Sequence, residues 1–332
     1  MTELQQQPLP LQGERALSAT LWAPAKINFC LEVRGRRPDG YHELATVMMP
    51  LSLADRVVLA QSDKLTVTCP GLDIPGGEEN IALRAARRFF EAVGLPEGAR
   101  ITIKKQIPAE AGLGGGSADA AAVLRGLQAL YGGPDDGALR DLAVGLGADV
   151  PFCLRGHPAL CTGIGENLRC IPAPALALVL AKGPEGLSTP EVFGRYDGLS
   201  AGEREGILQE LVEEHPNLNN LKSKYAEFKQ KTADETARDL FDGSTAELRG
   251  LLRNDLLAPA LSLRPGVGAT LDALCAGEPL AVGMSGAGTA CFAFCRDAAH
   301  AEAVRRQALA ACPGLALCLC VSANPAPVDP FA

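Results

Sequence analysis

Pro108-Ala109-Glu110-Ala111-Gly112-Leu113-Gly114-Gly115-Gly116-Ser117-Ala118-Asp119 lies between two stretches of different periodicity. Ahead of it, Arg100 to Ile107 (RITIKKQI) alternates apolar and polar residues as a strand does. Behind it, Ala120 to Leu130 (AAAVLRGLQAL) carries a helical apolar stripe. The order is therefore strand, glycine loop, helix. Three consecutive glycines remove every Cβ from backbone that is entering a helix. Its N–H groups can then close on an anion at the positive end of the helix dipole, so the stretch is expected to cradle phosphate.

Two familiar phosphate loops fit less well. Gly112-x-Gly114 after a strand also opens a dinucleotide-binding fingerprint, but that unit needs a second strand ending in an acidic residue beyond the helix. Here the chain runs into Tyr131-Gly132-Gly133-Pro134-Asp135-Asp136 and a second helical pattern, Ala138 to Leu146. A Walker A loop needs Gly-Lys followed by Ser or Thr, and the sequence contains none.

With 332 residues the chain is expected to form two domains. A hydrophobic share of 47% and a mean hydropathy of +0.08 suffice for ordinary cores, and no apolar run approaches the ~20 residues of a membrane helix. Residues 1–19 are expected to be a flexible leader rather than a secretory signal, which implies a cytoplasmic location. The eleven cysteines are dispersed through apolar segments without paired Cys-x-x-Cys motifs, and the four histidines lack metal-ligand spacing. They are read as small buried hydrophobes in a reducing compartment. A net charge of −8 argues against nucleic acid or an anionic membrane as partner, so an anionic ligand must be held by local basic groups.

The ordered chain is expected to begin near Ser18. In Lys26 to Val33 the residues Ile27, Phe29, Leu31 and Val33 share one strand face, and Lys26, Asn28 and Glu32 the other. Arg34 to Gly40 reads as a turn. Strands follow at Ala45 to Leu51, Val57 to Leu59 and Leu65 to Thr68, then a helix capped by Asn80 with Ile81, Ala85, Phe89 and Val93 on its apolar face. Residues 20–173 form a first mixed α/β domain and 174–332 a second. In the second, Leu176 to Ala181 reads as a buried strand, and Thr189 is expected to cap a helix with Pro190 at its first position. The strand, strand, helix, strand order from Leu280 to Val321 suits an antiparallel sheet with helices on one face. Between them, about 197–245 is polar and charge-dense, with helical pieces at Gly206 to Glu214 and Tyr225 to Lys231, and is expected to lie outside both cores.

Taken together the motifs resemble a known family. Lys26-Ile27-Asn28 after Ala23-Pro24-Ala25, followed by Gly35-Arg36-Arg37-x-Asp39-Gly40-Tyr41-His42, is similar to the first signature of the 4-diphosphocytidyl-2-C-methyl-D-erythritol kinases of the GHMP kinase superfamily. Pro108 to Ala118 resembles that superfamily's ATP-binding motif. Gly147-Ala148-Asp149-Val150-Pro151-Phe152 resembles its catalytic-aspartate segment, and Gly283 to Thr289 its third motif. The resemblance runs from about Trp22 to Ser322 in the correct order.

The resemblance implies an α+β, two-domain GHMP kinase fold, with an N-terminal domain like ribosomal protein S5 domain 2, a ferredoxin-like C-terminal domain, and the site in the cleft between them. It implies ATP-dependent phosphorylation of the 2-hydroxyl of 4-diphosphocytidyl-2-C-methyl-D-erythritol, with Mg²⁺ as cofactor and a weak homodimer as the expected assembly. Asp149 and Lys26 become the catalytic pair. Pro108, Ala109, Glu110, Ala111, Gly112, Leu113, Gly114, Gly115, Gly116, Ser117 and Ala118 bind ATP, and the Ser117 hydroxyl contacts Mg²⁺. Tyr41 and Phe193 stack on cytosine, His42 hydrogen-bonds to it, and Asn28, Thr189 and Gly286 lie near the acceptor. Lys104 and Lys105 either add charge at the mouth of the loop or are solvated strand-end lysines. Two features depart from the family pattern: a leader longer than the fold needs, and a Phe193 to Asn254 separation about 40 residues longer than expected.

Overall fold

A long antiparallel hairpin frames the first half of the molecule: β1 (Ser18–Arg36) and β2 (His42–Gln61) run side by side over their whole length. The computed structural model describes residues 18–71, 79–224, 231–243 and 249–321. On the other edge of β2, β4 (Ala99–Lys104) pairs with its second half and β5 (Ala159–Gly163) with its first. The short strands β3 (Thr66–Thr68) and β6 (Asn167–Cys170) close the sheet outside them.

The sequence pattern divides β2 into two strands, whereas the structure has one. Of the polar residues in the gap, Ser52 and Asp55 are buried and only Arg56 is turned to solvent. Asp55 accepts hydrogen bonds from the amides of Gln106 and Ile107, the latter at 2.8 Å. The same contact explains why β4 ends at Lys104 rather than Ile107: those amides bond a side chain and leave the ladder.

Four helices cover this sheet: α1 (Ile81–Val93), α2 (Gly115–Tyr131), α3 (Asp136–Val144) and α4 (Val150–Arg155). Asn80 caps α1 by accepting from the amides of Ala82 and Leu83. Ala85 and Phe89 are fully buried, as their spacing predicts.

The second sheet contains β7 (Ala177–Lys182), β8 (Gly250–Leu251), β9 (Ala281–Met284), β10 (Cys291–Cys295) and β11 (Ala316–Val321), in the order β11-β7-β10-β9-β8. Without β8, the order is fourth, first, third, second, all antiparallel, which is the ferredoxin-like split βαβ arrangement. Its strands are buried on both faces. Leu178, Leu180, Phe292 and Phe294 join the core of the first sheet, where Phe29 stacks on Phe292 with ring centroids 5.9 Å apart. Val179, Ala181, Cys291, Ala293 and Cys295 face the other way, toward α10 (Gly266–Cys275) and α11 (Ala298–Ala311). The two halves thus share a hydrophobic core, and a cleft between them has walls held by packed sheets rather than by a linker.

The helices between β7 and β8 are α5 (Thr189–Asp197), α6 (Ala201–Glu214), α7 (Pro216–Lys224) and α8 (Ala233–Phe241); α9 (Leu257–Leu263) follows β8. Ser188, not Thr189, caps α5, and Thr189 and Pro190 occupy its first turn. The charge-dense stretch does not stand outside the cores. Leu211 and Leu218 are buried against the second sheet's helices, and Ala233, Ala237 and Leu240 against the first sheet. This burial escapes a composition reading because each helix buries one narrow stripe and leaves Asp234, Glu235, Arg238 and Asp239 on its other faces. The Tyr225 to Lys231 helical pattern falls largely outside the described residues.

Candidate active site

The polar face of β1 opens onto a cleft of about 860 Å³ between the two sheets. Lys26 and Asn28 sit there almost fully buried. Lys26 Nζ donates to Asn28 Oδ1 at 2.7 Å and lies 3.1 Å from Asp149 Oδ2. Asn28 Nδ2 donates to Thr46 Oγ1 on β2 at 2.9 Å, and Thr46 Oγ1 donates to the Cys30 carbonyl at 2.6 Å. The pair is therefore braced from both hairpin strands. Asp149 occupies the N-cap position of α4 but makes no capping hydrogen bond, so its carboxylate stays turned to Lys26.

The glycine stretch enters α2 at Gly115. Gly114 is left-handed, with φ of +69°, and supplies no side chain to cap the helix. Ala118 N donates to Gly114 O, so the orphan amides of the first turn are those of Gly115, Gly116 and Ser117. The Ser117 hydroxyl makes no hydrogen bond among the described residues. Lys26 N donates to Leu113 O at 2.9 Å, and a Cβ on Gly114 would come 2.9 Å from Lys26 Cγ. The glycine loop and the lysine are thereby held in direct contact. From the second sheet, Ser285 Oγ donates to Gly112 O at 2.8 Å, Asn28 N donates to Ser285 Oγ, and Ala290 N donates to Ala111 O. Asn254 Nδ2 donates to the carbonyls of Met284 and Gly286 and fixes that loop. A Cβ at Gly286 would lie 3.2 Å from Asn28 Oδ1 and 3.5 Å from Lys26 Nζ.

Under the first turn of α2, Lys105 forms ion pairs with Asp55 and with Asp119 Oδ2, the latter at 2.6 Å. Burial, added to by the Asp55 carboxylate, pushes the Asp119 carboxyl up to about 7 against the pull of Lys105. Burial also works against the Lys105 ammonium, but the two carboxylates outweigh it and hold its pKa above the usual lysine range. Asp119 Oδ1 is sealed from solvent without a partner. Lys105 is therefore no solvated strand end, while Lys104 is exposed.

At the far end of the cleft stand Tyr41, exposed at the rim, and His42, buried. Phe193 stacks on the His42 imidazole with ring centroids 4.6 Å apart at 22°, and Tyr196 meets the imidazole edge-on. His42 Nε2 lies 2.8 Å from Asp197 Oδ1, and Arg36 Nη1 is 3.4 Å from Asp197 Oδ2.

Lys26, Asn28, Tyr41, His42, Pro108 to Ser117, Asp149, Thr189, Phe193 and Gly286 all line this one cleft. Ala118 does not; it is buried in the core behind the loop, and its amide is engaged by Gly114. Ser285, Thr46, Asp55, Lys105, Asp119, Asp197 and Arg36 complete the site. Of these, Arg36, Asp119 and Ser285 lie within motifs legible in the sequence and Lys105 just ahead of the glycine loop, whereas Asp55, Thr46 and Asp197 carry no local signal. Among the described residues no three His, Cys, Asp or Glu side chains are grouped to hold a metal ion, and no helix is long and apolar enough to cross a membrane.

Residues 80–157 match the GHMP kinases N terminal domain, and residues 236–314 the GHMP kinases C terminal family. A 4-diphosphocytidyl-2-C-methyl-D-erythritol kinase of Carboxydothermus hydrogenoformans is 36% identical over 289 residues, 86% of this chain and 92% of that one. One from Streptomyces avermitilis is 38% identical over 94% of this chain and 98% of its own length. A crystal structure of 4-(cytidine 5'-diphospho)-2C-methyl-D-erythritol kinase superposes with a TM-score of 0.71 at 33% identity, over 92% of this chain and 100% of that one. Homoserine kinase from Cytophaga hutchinsonii, 18% identical with a TM-score of 0.69 over 95% of this chain and 97% of its own, shares the fold. With the order of motifs, the two-sheet architecture and relatives matched along nearly their whole length, this chain belongs to the 4-diphosphocytidyl-2-C-methyl-D-erythritol kinase family of GHMP kinases.

Proposed function

We propose that this chain transfers the γ-phosphoryl group of ATP to the 2-hydroxyl of 4-diphosphocytidyl-2-C-methyl-D-erythritol, a step of non-mevalonate isoprenoid synthesis. The observation that carries this reading is the single cleft itself. At one wall it offers orphan helix amides, at its centre a buried lysine paired with a partly exposed aspartate, and at its far end an aromatic cluster with a histidine.

Phosphoryl transfer passes through a loose transition state, so the protein chiefly aligns the reactants and stabilises charge. The amides of Gly115, Gly116 and Ser117, at the positive end of α2, suit the β- and γ-phosphates. The Lys26 side chain runs past Gly114 and would bring its ammonium, beside Asp149, to the transferring group. The acceptor oxygen attacks the γ-phosphorus, the bond to the β,γ-bridging oxygen breaks, and ADP leaves. The hydroxyl proton passes to an Asp149 carboxylate oxygen and from there to solvent. Lys26 holds that carboxylate in place and, through Asn28, stays fixed to the hairpin.

Mg²⁺ fits a site where the Ser117 hydroxyl bonds to no described residue and the described residues form no carboxylate cage, because it keeps several waters and binds largely through substrate phosphates. It would be held by Ser117 and would neutralise phosphate charge. Burial pushes the Cys30 thiol up to about 11 and the Cys295 thiol up to about 12, so both stay protonated and take no part in the chemistry.

Within the superfamily the alternative acceptors are mevalonate, homoserine or a sugar. None of them has a base for the Phe193–His42 end to bind. The test is ADP release measured over a panel of the diphosphocytidyl compound, mevalonate and homoserine. Turnover confined to the first is expected, and preferential turnover of either other compound would overturn the reading.

A further inference from the structure

We infer that Asp197 is a positioning residue that fixes the tautomer of His42, and through it makes the cleft read the exocyclic amino group of cytosine in preference to the carbonyl of uracil. This inference rests on the functional reading above. It goes further, because it assigns base selectivity to a carboxylate that does not touch the base.

The His42 ring is held on three sides. Phe193 stacks on one face, Tyr196 abuts the edge, and Asp197 Oδ1 faces Nε2 at 2.8 Å. Phe193, Tyr196 and Asp197 all belong to α5, so one helix sets both the plane of the ring and its rotation. That helix is itself anchored. Val192 is fully buried, and the Arg204 guanidinium lies 4.3 Å over the Tyr196 ring while donating to the carbonyls of Tyr196 and Leu199.

A carboxylate can only accept hydrogen bonds, so at 2.8 Å the Nε2 atom must carry the proton. Arg36, 3.4 Å from the other carboxylate oxygen, is a donor and reinforces the acceptor state of Asp197. In neutral imidazole a proton on Nε2 leaves a lone pair on Nδ1. No described residue bonds to Nδ1, and it is not among the polar atoms sealed from solvent, so its open side is the cleft that His42 lines.

The cleft thus presents an acceptor beside the ring stack. The 4-amino group of cytosine is a donor and satisfies it. The 4-carbonyl of uracil would set lone pair against lone pair. Sites built around such a hydrogen bond reject the wrong partner by up to ~10⁴–10⁵. Because His42 retains some exposure and water can intervene, about 10²–10³ is expected here.

The experiment uses the full-length protein with isotope-labelled histidine, wild type and Asp197→Ala. The Asp197 side chain is 31% exposed, so its truncation is compatible with folding. Two-bond proton–nitrogen correlation spectra near pH 8, with His42 assigned by its loss in His42→Gln, read the tautomer without any ligand. In parallel, kcat/KM is measured for the diphosphocytidyl acceptor and its uridyl counterpart. We expect the Nε2–H tautomer in wild type and a mixture of tautomers in Asp197→Ala. The cytidyl-to-uridyl ratio of kcat/KM should fall by at least about tenfold, carried mainly by a rise in the KM for the cytidyl compound. A wild-type Nδ1–H tautomer, or an unchanged ratio in Asp197→Ala, would overturn the inference. Should wild type phosphorylate neither acceptor, the functional reading would fall, while the spectra would still decide the Asp197–His42 bond.

Discussion

Replacing Asp149 by asparagine keeps its size and one acceptor oxygen but removes the capacity to take a proton. A positioned general base contributes ~10²–10⁴ to rate, about 2.7–5.4 kcal/mol of barrier at 1.36 kcal/mol per decade. Because the proton leaves late in a loose transition state, Asp149→Asn is expected near the middle of that range, a ~10³ loss in kcat. The change should cost little folding stability. Lys26 Nζ retains Asn28 Oδ1 at 2.7 Å, and the Asp149 side chain is 27% exposed, so water can replace part of the lost charge. About 1–2 kcal/mol is expected, rather than the ~3–5 kcal/mol of a fully buried pair that loses one partner. ATP affinity should not change, since helix amides and not Asp149 face the phosphates. Lys26→Met should lose a similar factor. If the pair acts as a unit, the double variant should fall by ~10³–10⁴ rather than by the ~10⁶ product. Rapid-quench single-turnover transfer isolates the chemical step from product release. Wild-type turnover in Asp149→Asn, or strictly multiplicative losses in the double variant, would refute the assignment.

Phe193→Ala removes the ring stacked on His42, and should raise the acceptor KM by ~5–150-fold, the equivalent of 1–3 kcal/mol per stacked base, with the ATP KM unchanged; equal weakening for both substrates in initial-rate titrations would count against the base-binding role. Gly112→Ala meets two obstacles, a φ of +71° and a Cβ that would run into the Ser285 carbonyl, so calorimetric ATP titration should show at least tenfold weaker binding and thermal melts a lower Tm; wild-type values in both would mean that the loops are not locked together. For Asp119, a folded pKa near 7 lies above its unfolded value, so the folded state binds the extra proton and wild-type stability declines as pH rises through about 4 to 7. Asp119→Asn lacks that decline, and urea unfolding across this window should show the difference moving in favour of the variant; a difference independent of pH would remove the buried-acid account.

The sequence was most legible where chemistry and periodicity coincide. Gly112 to Ser117 reads as a loop entering a helix, and the structure starts α2 at Gly115, while the α11 and β11 boundaries follow from a helical apolar stripe and a short apolar run set off by Pro313-Gly314. The long hairpin was not legible. Asp55 looks like a break in β2, and only the three-dimensional structure shows its partners, Lys105 and the amides of Gln106 and Ile107, some 50 residues away in sequence. Ala118 reads as part of the cradle by adjacency, but helical rotation turns it into the core. Asp197 is one acidic residue in a charge-dense stretch. Its importance comes from lying four residues after Phe193 on α5, which places both at the His42 ring. The buried stripes of α6, α7 and α8 were masked in the same way, since their flanking charges dominate the local composition.

The central claim is transfer to one particular oxygen, and proton-coupled phosphorus NMR of the product tests it most directly. In 2-C-methyl-D-erythritol the second carbon bears a methyl group and no hydrogen. The purified protein, incubated with ATP, Mg²⁺ and the diphosphocytidyl acceptor, should yield one new phosphomonoester resonance that is a singlet, with the diphosphate signals of the acceptor intact. A triplet, from phosphate on the primary 1-oxygen, a doublet, from the secondary 3-oxygen, or no new monoester at all would contradict the account.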